Sequence, residues 1–361
     1  MKETRIWIVA DRQYRGYERL RVKIMKISEL LQRIDYTVLQ GDLSEEITGI
    51  CHDNRMLQKG DAFICISGAR FDTHTMAGEL AKKAALLVVE KPVELDADCK
   101  TAVVQVASTR DVLAAAFYGY PSEKMVCIGI TGSKGKTTCT HMMADILRAA
   151  GYLTGTIGTN GAIMPAGCDH AVWGSDKYSC APCNETPGYD CYELNNTTPD
   201  PMELQMYLAM MVKAGCTHVV LEVSSQGMKQ KRVATVDFAY AVWTNIETGD
   251  HIGPNEHKDF EEYLYCKAML LNQSRRAYVN CDDRHLDAFM KYVTLSDGSD
   301  GRTKQVFYYG EGEKADYRIG NLKKSQNGVL EAPGIEFTIS GALDAGRFQY
   351  VQCGSSSCHC T

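Results

Sequence analysis

Residues 129–138 read GITGSKGKTT, a Gly-rich turn closing on Lys136, Thr137 and Thr138. The apolar run Val126–Ile130 precedes it and a stretch with helical periodicity follows, so the turn sits between a strand and a helix. Gly132 and Gly135, with Ser133 and Lys134 between them, would expose backbone N–H groups beside the positive end of the helix dipole, which suits phosphate. Lys136 would add a point charge on the β- and γ-phosphates, and the Thr137 hydroxyl could ligate magnesium. The Walker A pattern sets its glycines five apart, whereas Gly132 and Gly135 are three apart, so this turn is a shortened relative. The plainer reading is a Gly-containing turn with a solvated lysine.

Two further stretches carry chemistry. In HVVLEVSSQGMKQKRV (218–233), Glu222 falls near the end of an apolar strand, where a buried carboxylate is costly unless paired or metal-bound. Ligand crevices of open α/β sheets lie at the carboxyl ends of strands, so Glu222 is expected near Thr137, sharing a magnesium ion. Alone, such a residue would read as a salt-bridge partner. In TNIETGDHIGPNEHKDFEEYLYCKAMLL (244–271), His251 follows a strand end and Lys267 sits in an otherwise apolar helical segment. That lysine either snorkels to solvent or is a functional lysine whose charge has been removed.

The elements that must position these residues alternate. Strand candidates at 61–66, 84–90, 217–225, 238–245 and 276–280 are interleaved with helix candidates at 76–84, 201–214 and 260–272. This implies an α/β fold with a mostly parallel sheet. A Pro/Gly-punctuated segment at 118–125 reads as a linker between an N-terminal α/β domain (25–120) and a central P-loop-type domain (121–346). The 361 residues exceed one ordinary core. Hydrophobic content of 45% and charged content of 23% are those of a globular protein. A net charge of −6 gives no reason to expect nucleic acid or an anionic membrane as partner. No membrane-length apolar run or signal peptide is evident, so the expected location is the cytoplasm. Most of the fifteen cysteines read as reduced thiols, several of them buried. Cys168, Cys180, Cys183 and Cys191 cluster in a polar stretch, 161–194. Cys180-Ala-Pro-Cys183 has metal-ligand spacing, but the outer spacings match no standard zinc motif, and a metal-free insertion is the favoured reading.

Taken together, SEEITGICHDNRMLQKGDAFICISGARFDTH (44–74), GITGSKGKTT, NNTTPDP (195–201), LEVSSQGMKQKRV, the Asp250-His251 to Lys267 segment and VNCDD (279–283) resemble the Mur ligase family, ATP-dependent amide-forming enzymes of peptidoglycan precursor synthesis. The likeness runs over roughly residues 25–345 and is nearest to the UDP-N-acetylmuramoyl-tripeptide synthetases. It implies that the Gly-rich turn binds ATP, that Thr137 and Glu222 hold one magnesium ion, and that a carbamylated Lys267 and His251 hold a second. It also implies muropeptide contacts at Asn196, Thr197, Thr198, Ser224, Gln230 and Arg232, and uridine contacts at Asn54 and the Ala69-Arg70-Phe71 stretch. The reaction implied is transfer of the ATP γ-phosphoryl group to a carboxylate of UDP-muramoyl-L-Ala-D-Glu, then attack by an amino acid's amine on the acyl phosphate. A monomer is expected.

The sequence departs from the family pattern in places. Asn54 replaces a serine, Gln226 replaces a histidine, the His251–Lys267 spacing is two residues longer than usual, which leaves His257 a less favoured metal ligand, and the Cys-rich 161–194 stretch is additional. Residues 1–24 read as an extension or a displaced start, since MKISELL from Met25 resembles a family N-terminus. One back-translation of Gln352–Thr361, read one base later, gives Asn-Ala-Ala-Ala-Ala-Ala-Ala-Ile-Ala, the helix start that the family has there. Residues 347–361 are therefore expected to be an out-of-frame tail in place of the amino-acid-binding C-terminal domain. On that expectation this chain binds the muropeptide but forms no amide, and a non-catalytic fragment binding UDP-muropeptide and ATP is the competing reading. A folylpolyglutamate synthetase type of ligase is the other alternative, disfavoured by the 44–74 segment.

Overall fold

The structure, a computed structural model, describes residues 24–67, 71–107, 110–167, 180–183, 186–249, 251–254, 256–294, 305–325, 334–341, 346–351 and 359–360. The chain divides into two compact units. The first comprises the described residues up to Pro121 together with Pro201–Ala209; the second takes the described remainder from Ser122.

In the first unit, β1 (Tyr36–Gln40), β2 (Ile50–Cys51), β3 (Ala62–Ile64), β4 (Leu86–Val89) and β5 (Ala102–Val106) form one sheet in the order β1-β5-β4-β3-β2, with α1 (Ala77–Ala81) and α2 (Arg110–Phe117) in the same unit. All neighbours are parallel except β1 with β5. The strands are short and wholly apolar at the centre, as parallel strands covered on both faces must be. Phe63, Leu87 and Val103 pack with Ala77, Leu80 and Ala81 of α1.

The second unit begins with a 3₁₀ turn, Pro121–Lys124, and not with an open linker: Ser122 is buried there. It continues through β6 (Val126–Thr131), α3 (Lys136–Ala149), β7 (Thr154–Gly158), β8 (Gly161–Pro165), β9 (Cys180–Pro182), β10 (Tyr189–Tyr192), the end of α4 (Pro201–Lys213, in this unit from Met210), β11 (His218–Glu222), α5 (Ser225–Lys229), β12 (Phe238–Trp243), α6 (Phe260–Gln273), β13 (Arg276–Asn280), β14 (Gln305–Gly310), β15 (Tyr317–Ser325), β16 (Gly334–Gly341) and β17 (Gly346–Val351). The heart of its sheet, β7-β11-β6-β12-β13-β14, is parallel throughout. Antiparallel strands β8, β10 and β9 extend one side. The flanks of the 161–194 stretch are therefore part of the sheet. Cys168 lies outside the described residues.

Helix α3 covers one face because Cys139, Met143, Ala144 and Leu147 recur at helical spacing and meet Ile128, Ile130 and Val220. On the other face α6 comes so close to β6 that a Cβ at Gly129 would stand 2.8 Å from Leu270 Cδ1. Register does the positioning. Glu222 pairs with Ile130 and Trp243 with Thr131, so Glu222, the Gly-rich turn and Thr244 emerge together at the carboxyl ends of three adjacent strands.

Candidate active site

The turn after β6 is held from the neighbouring strand end. Ser133 N–H donates to Asn245 O (2.9 Å) and Lys134 N–H to Asn245 Oδ1 (2.9 Å), while Thr244 Oγ1 donates to Lys134 O (2.8 Å). Gly132 adopts φ +151°, and a Cβ there would lie 1.9 Å from Thr244 Oγ1; Gly135, at φ +82°, opens α3. Both positions need glycine. Lys136 Nζ donates to Gly132 O and Ser133 O, 3.0 Å each, so the ammonium is folded over the turn whose backbone would cradle phosphate.

Glu222 is 1% exposed and its carboxylate is fully engaged. Thr137 Oγ1 donates to Oε2 (2.9 Å), Thr159 N–H to Oε1 (3.0 Å) and Thr159 Oγ1 to Oε2 (3.2 Å). Gly158 makes room for it, since a Cβ there would stand 2.2 Å from Glu222 Oε1. The expected meeting of Thr137 with Glu222 is thus present in the geometry. Thr159 escaped the sequence reading; its only signal was a small residue, Gly158, before it at a strand end.

Lys267 does not snorkel. It is 1% exposed, its Nζ donates to Gly132 O at 2.7 Å, and it lies 4.6 Å from the centre of the Tyr263 ring. Tyr263, also buried, bonds Ser133 Oγ through its hydroxyl (2.8 Å). His251 packs near the same ring, 6.1 Å between centroids, and pairs through Nδ1 with Glu256 Oε1 (3.1 Å). His257 is fully buried against Tyr263 (5.4 Å between centroids), with neither ring nitrogen hydrogen-bonded and Glu262 Oε2 at 3.6 Å. Burial, then the Lys229 ammonium, push its pKa below the ordinary histidine value. Tyr263 and Asn245 are the residues on which this arrangement turns; neither stood out by type or spacing.

The muropeptide candidates gather around the Ser224 end of β11. Ser224 caps α5, accepting from Gly227 N–H (3.0 Å), and its N–H donates to Thr198 Oγ1 (2.9 Å). Helix α5 ends with Lys231 in the left-handed region (φ +55°), Lys231 N–H bonded to Met228 O and Arg232 N–H to Gly227 O, the Schellman pattern. That reversal turns Arg232 back: Nη1 donates to Thr198 O (2.6 Å), while Nε and Nη2 grip Gln230 Oε1. Thr197 bonds Thr159 hydroxyl to hydroxyl (3.1 Å), and Asn196 is exposed. Gln226, in the place of the family histidine, has its Nε2 buried without a hydrogen-bond partner.

In the first unit Asn54 Nδ2 reaches Met76 Sδ at 3.7 Å and Phe71 is 55% exposed. Ala69 and Arg70 lie outside the described residues, as does Asp250. Among the described residues no three His, Cys, Asp or Glu converge on a metal-sized space. Cys191 donates to Asn160 O (3.2 Å). No helix among them is long and apolar enough to cross a membrane.

Known proteins resemble this chain in sequence and fold. The family profile described as Mur ligase middle domain matches residues 130–349, a stretch that contains the turn, Glu222, His251 and Lys267. The chain belongs to the Mur ligase family. UDP-N-acetylmuramoyl-L-alanyl-D-glutamate--2,6-diaminopimelate ligase of Clostridium perfringens is 31% identical over 84% of the chain and 57% of its own length. The Bacillus cereus protein of the same name is 35% identical over 87% and 58%. A solved structure of a ligase so named superposes with a TM-score of 0.65 at 20% identity, over 90% of this chain and 59% of the other, which supports the same fold. The chain thus spans under three fifths of the length of these Mur ligase relatives.

Proposed function

We propose that this chain is the nucleotide- and UDP-muropeptide-binding part of an ATP-dependent ligase. The reaction joins an amino acid to UDP-N-acetylmuramoyl-L-Ala-D-Glu through an acyl phosphate, in peptidoglycan precursor synthesis. The observation that carries the reading is the Thr137–Glu222 hydrogen bond of 2.9 Å at the mouth of a turn on which two lysines, Lys136 and Lys267, converge.

The donor set fits magnesium at the first position: a hydroxyl and one carboxylate are the hard oxygens that a hydrated magnesium ion takes alongside phosphate. His251 and Lys267, flanking one Tyr263 ring, are the residues that would hold a second ion, with Lys267 converted to an anionic carbamate by CO₂. Bound magnesium would neutralise charge on the phosphoryl oxygens. The backbone N–H groups of the turn would bind phosphate, and Lys136 would exchange two carbonyl oxygens for phosphate oxygens. Ser224, Gln230 and Arg232 would orient the muropeptide carboxylate, with Asn54, Ala69, Arg70 and Phe71 at the uridine end. The amino acid in the relatives' names is 2,6-diaminopimelate, which makes it the first to test.

The test separates phosphoryl transfer from amino-acid binding. Hydroxylamine offered as the amine, with ATP, magnesium and UDP-N-acetylmuramoyl-L-Ala-D-Glu, should yield the muropeptide hydroxamate and an equivalent of ADP. Saturating nucleotide and muropeptide binding with no hydroxamate would overturn the catalytic reading and leave the binding fragment.

A further inference from the structure

The proposed second metal position depends on where one half-exposed imidazole points. His251 is held in the left-handed region at φ +57°, a conformation that persists in a non-glycine residue only when its surroundings impose it. The surroundings are a small closed loop. His257 N–H donates to His251 O, Gly253 N–H to His257 O and Glu256 N–H to Gly253 O, at 3.0, 3.0 and 3.1 Å. The buried His257 ring fixes the loop's base. Two contacts then act on its outer side. Glu256 Oε1 lies 3.1 Å from His251 Nδ1; a carboxylate only accepts, so in the neutral imidazole this contact selects the tautomer with the proton on Nδ1 and the lone pair on Nε2. Lys229, at the end of α5, donates to Glu256 O at 2.7 Å and to Glu262 Oε2 at 2.9 Å.

We propose that Glu256 and Lys229 are positioning residues: Glu256 orients the His251 imidazole toward a divalent cation, and Lys229 ties Glu256 to helix α5, which Ser224 and Gln230 cap and Arg232 follows. The inference rests on the functional reading above and adds residues that the family resemblance did not supply. A carboxylate that accepts from the far nitrogen of a metal-bound histidine fixes both its tautomer and its ring, and loss of such a partner typically costs 10–100-fold in metal affinity. His251 and Glu256 are 51% and 43% exposed. An exposed pair of this kind contributes little to folding, so the effect on cation binding can be read without loss of the fold. Lys229 connects the loop to the muropeptide side of the site, so cation and muropeptide binding should be coupled through it.

The experiment titrates Mn²⁺ into the 361-residue chain saturated with ADP and equilibrated with bicarbonate, with free Mn²⁺ followed by electron paramagnetic resonance. His251→Ala should remove one class of bound Mn²⁺. Glu256→Ala should weaken that class about tenfold or more, with an unchanged melting temperature, and should add nothing in the His251→Ala background. Glu256→Gln, whose amide oxygen still accepts, should fall between. Lys229→Met should weaken the same class and Lys229→Arg restore it. An Mn²⁺ affinity for Glu256→Ala within twofold of the parent, while His251→Ala lowers it, would overturn the proposal and leave the ligase reading standing. An unchanged affinity in His251→Ala would remove His251 from the metal site, and this proposal with it.

Discussion

The turn at 131–137 and the loop at 251–257 both reach the Tyr263 ring, yet they are fixed by opposite means. The turn is tied down by hydrogen bonds from Thr244 and Asn245, more than a hundred residues away, and by Gly132, whose position leaves no space for a Cβ. The loop bonds mainly to itself and is held from below by one buried imidazole. A site for a highly charged ligand needs its backbone N–H groups fixed before the ligand arrives, because hydrogen-bond donors already in place cost no reorganisation. A residue that adjusts a cation needs only its ring direction set. The difference predicts that the turn tolerates almost no change in backbone shape, and that the loop tolerates changes in chemistry that preserve volume.

The largest effect should come from Gly132→Ala. The new methyl would meet Thr244 Oγ1 at 1.9 Å and Asn245 N at 3.1 Å, at a φ that L side chains rarely adopt. Relief requires breaking the Thr244–Lys134 bond or moving β12, so a loss of roughly 3 kcal/mol or more is expected. Urea unfolding monitored by circular dichroism measures it. A loss below about 1 kcal/mol would mean that the turn yields, and the contrast with the loop would disappear.

Lys136→Met sharpens the same contrast, since it alters the turn's charge and leaves its shape. The ammonium is only half-buried and bonds two carbonyls, so stability should change by about 1 kcal/mol at most. Nucleotide binding should weaken about a hundredfold, ~2.7 kcal/mol. Calorimetric titration with ADP and magnesium checks it; unchanged affinity would place the phosphates elsewhere.

How much of this could be read from the sequence follows from the range of the interactions. The Gly-rich turn was legible because its glycines, lysine and threonines are contiguous and their chemistry is local. Lys267 was legible as an oddity, a charge in an apolar helix, but its choice between solvent and interior was not. That choice depends on Gly132 O, 135 residues away, which only the sheet order β6-β12 and the packing of α6 bring near. Thr159 and Asn245 act through partners set by strand register, and their own neighbourhoods carry no mark of it. Strands β7 and β8 were missed for a related reason. TGTIG and GAIMP are short and glycine-containing, and they become strands because β11 and β10 supply the partners. Uridine contacts at Ala69 and Arg70 lie outside the described residues and rest on the resemblance alone.

The smallest effect expected is at His257, and its sign is the informative part. Its ring is fully buried, neither nitrogen has a hydrogen-bond partner, and the carboxylate of Glu262 stands 3.6 Å from Nδ1. A buried polar atom left unsatisfied costs about 1–3 kcal/mol, whereas an apolar side chain of similar size carries no such cost. His257→Leu keeps the contact with Tyr263 and leaves the backbone bonds to His251 and Gly253 in place. Against the gain stands the loss of a weak attraction to Glu262, which already holds Lys229 and the Lys258 N–H, and of an aromatic contact worth about 0.5–1.5 kcal/mol. The balance is a stabilisation of about 1 kcal/mol or less, read as a small rise in the urea midpoint at neutral pH. A drop of more than about 1 kcal/mol would show that the imidazole is satisfied in solution by a bound water or by Glu262, and the loop would then resemble the turn in being held by directed hydrogen bonds.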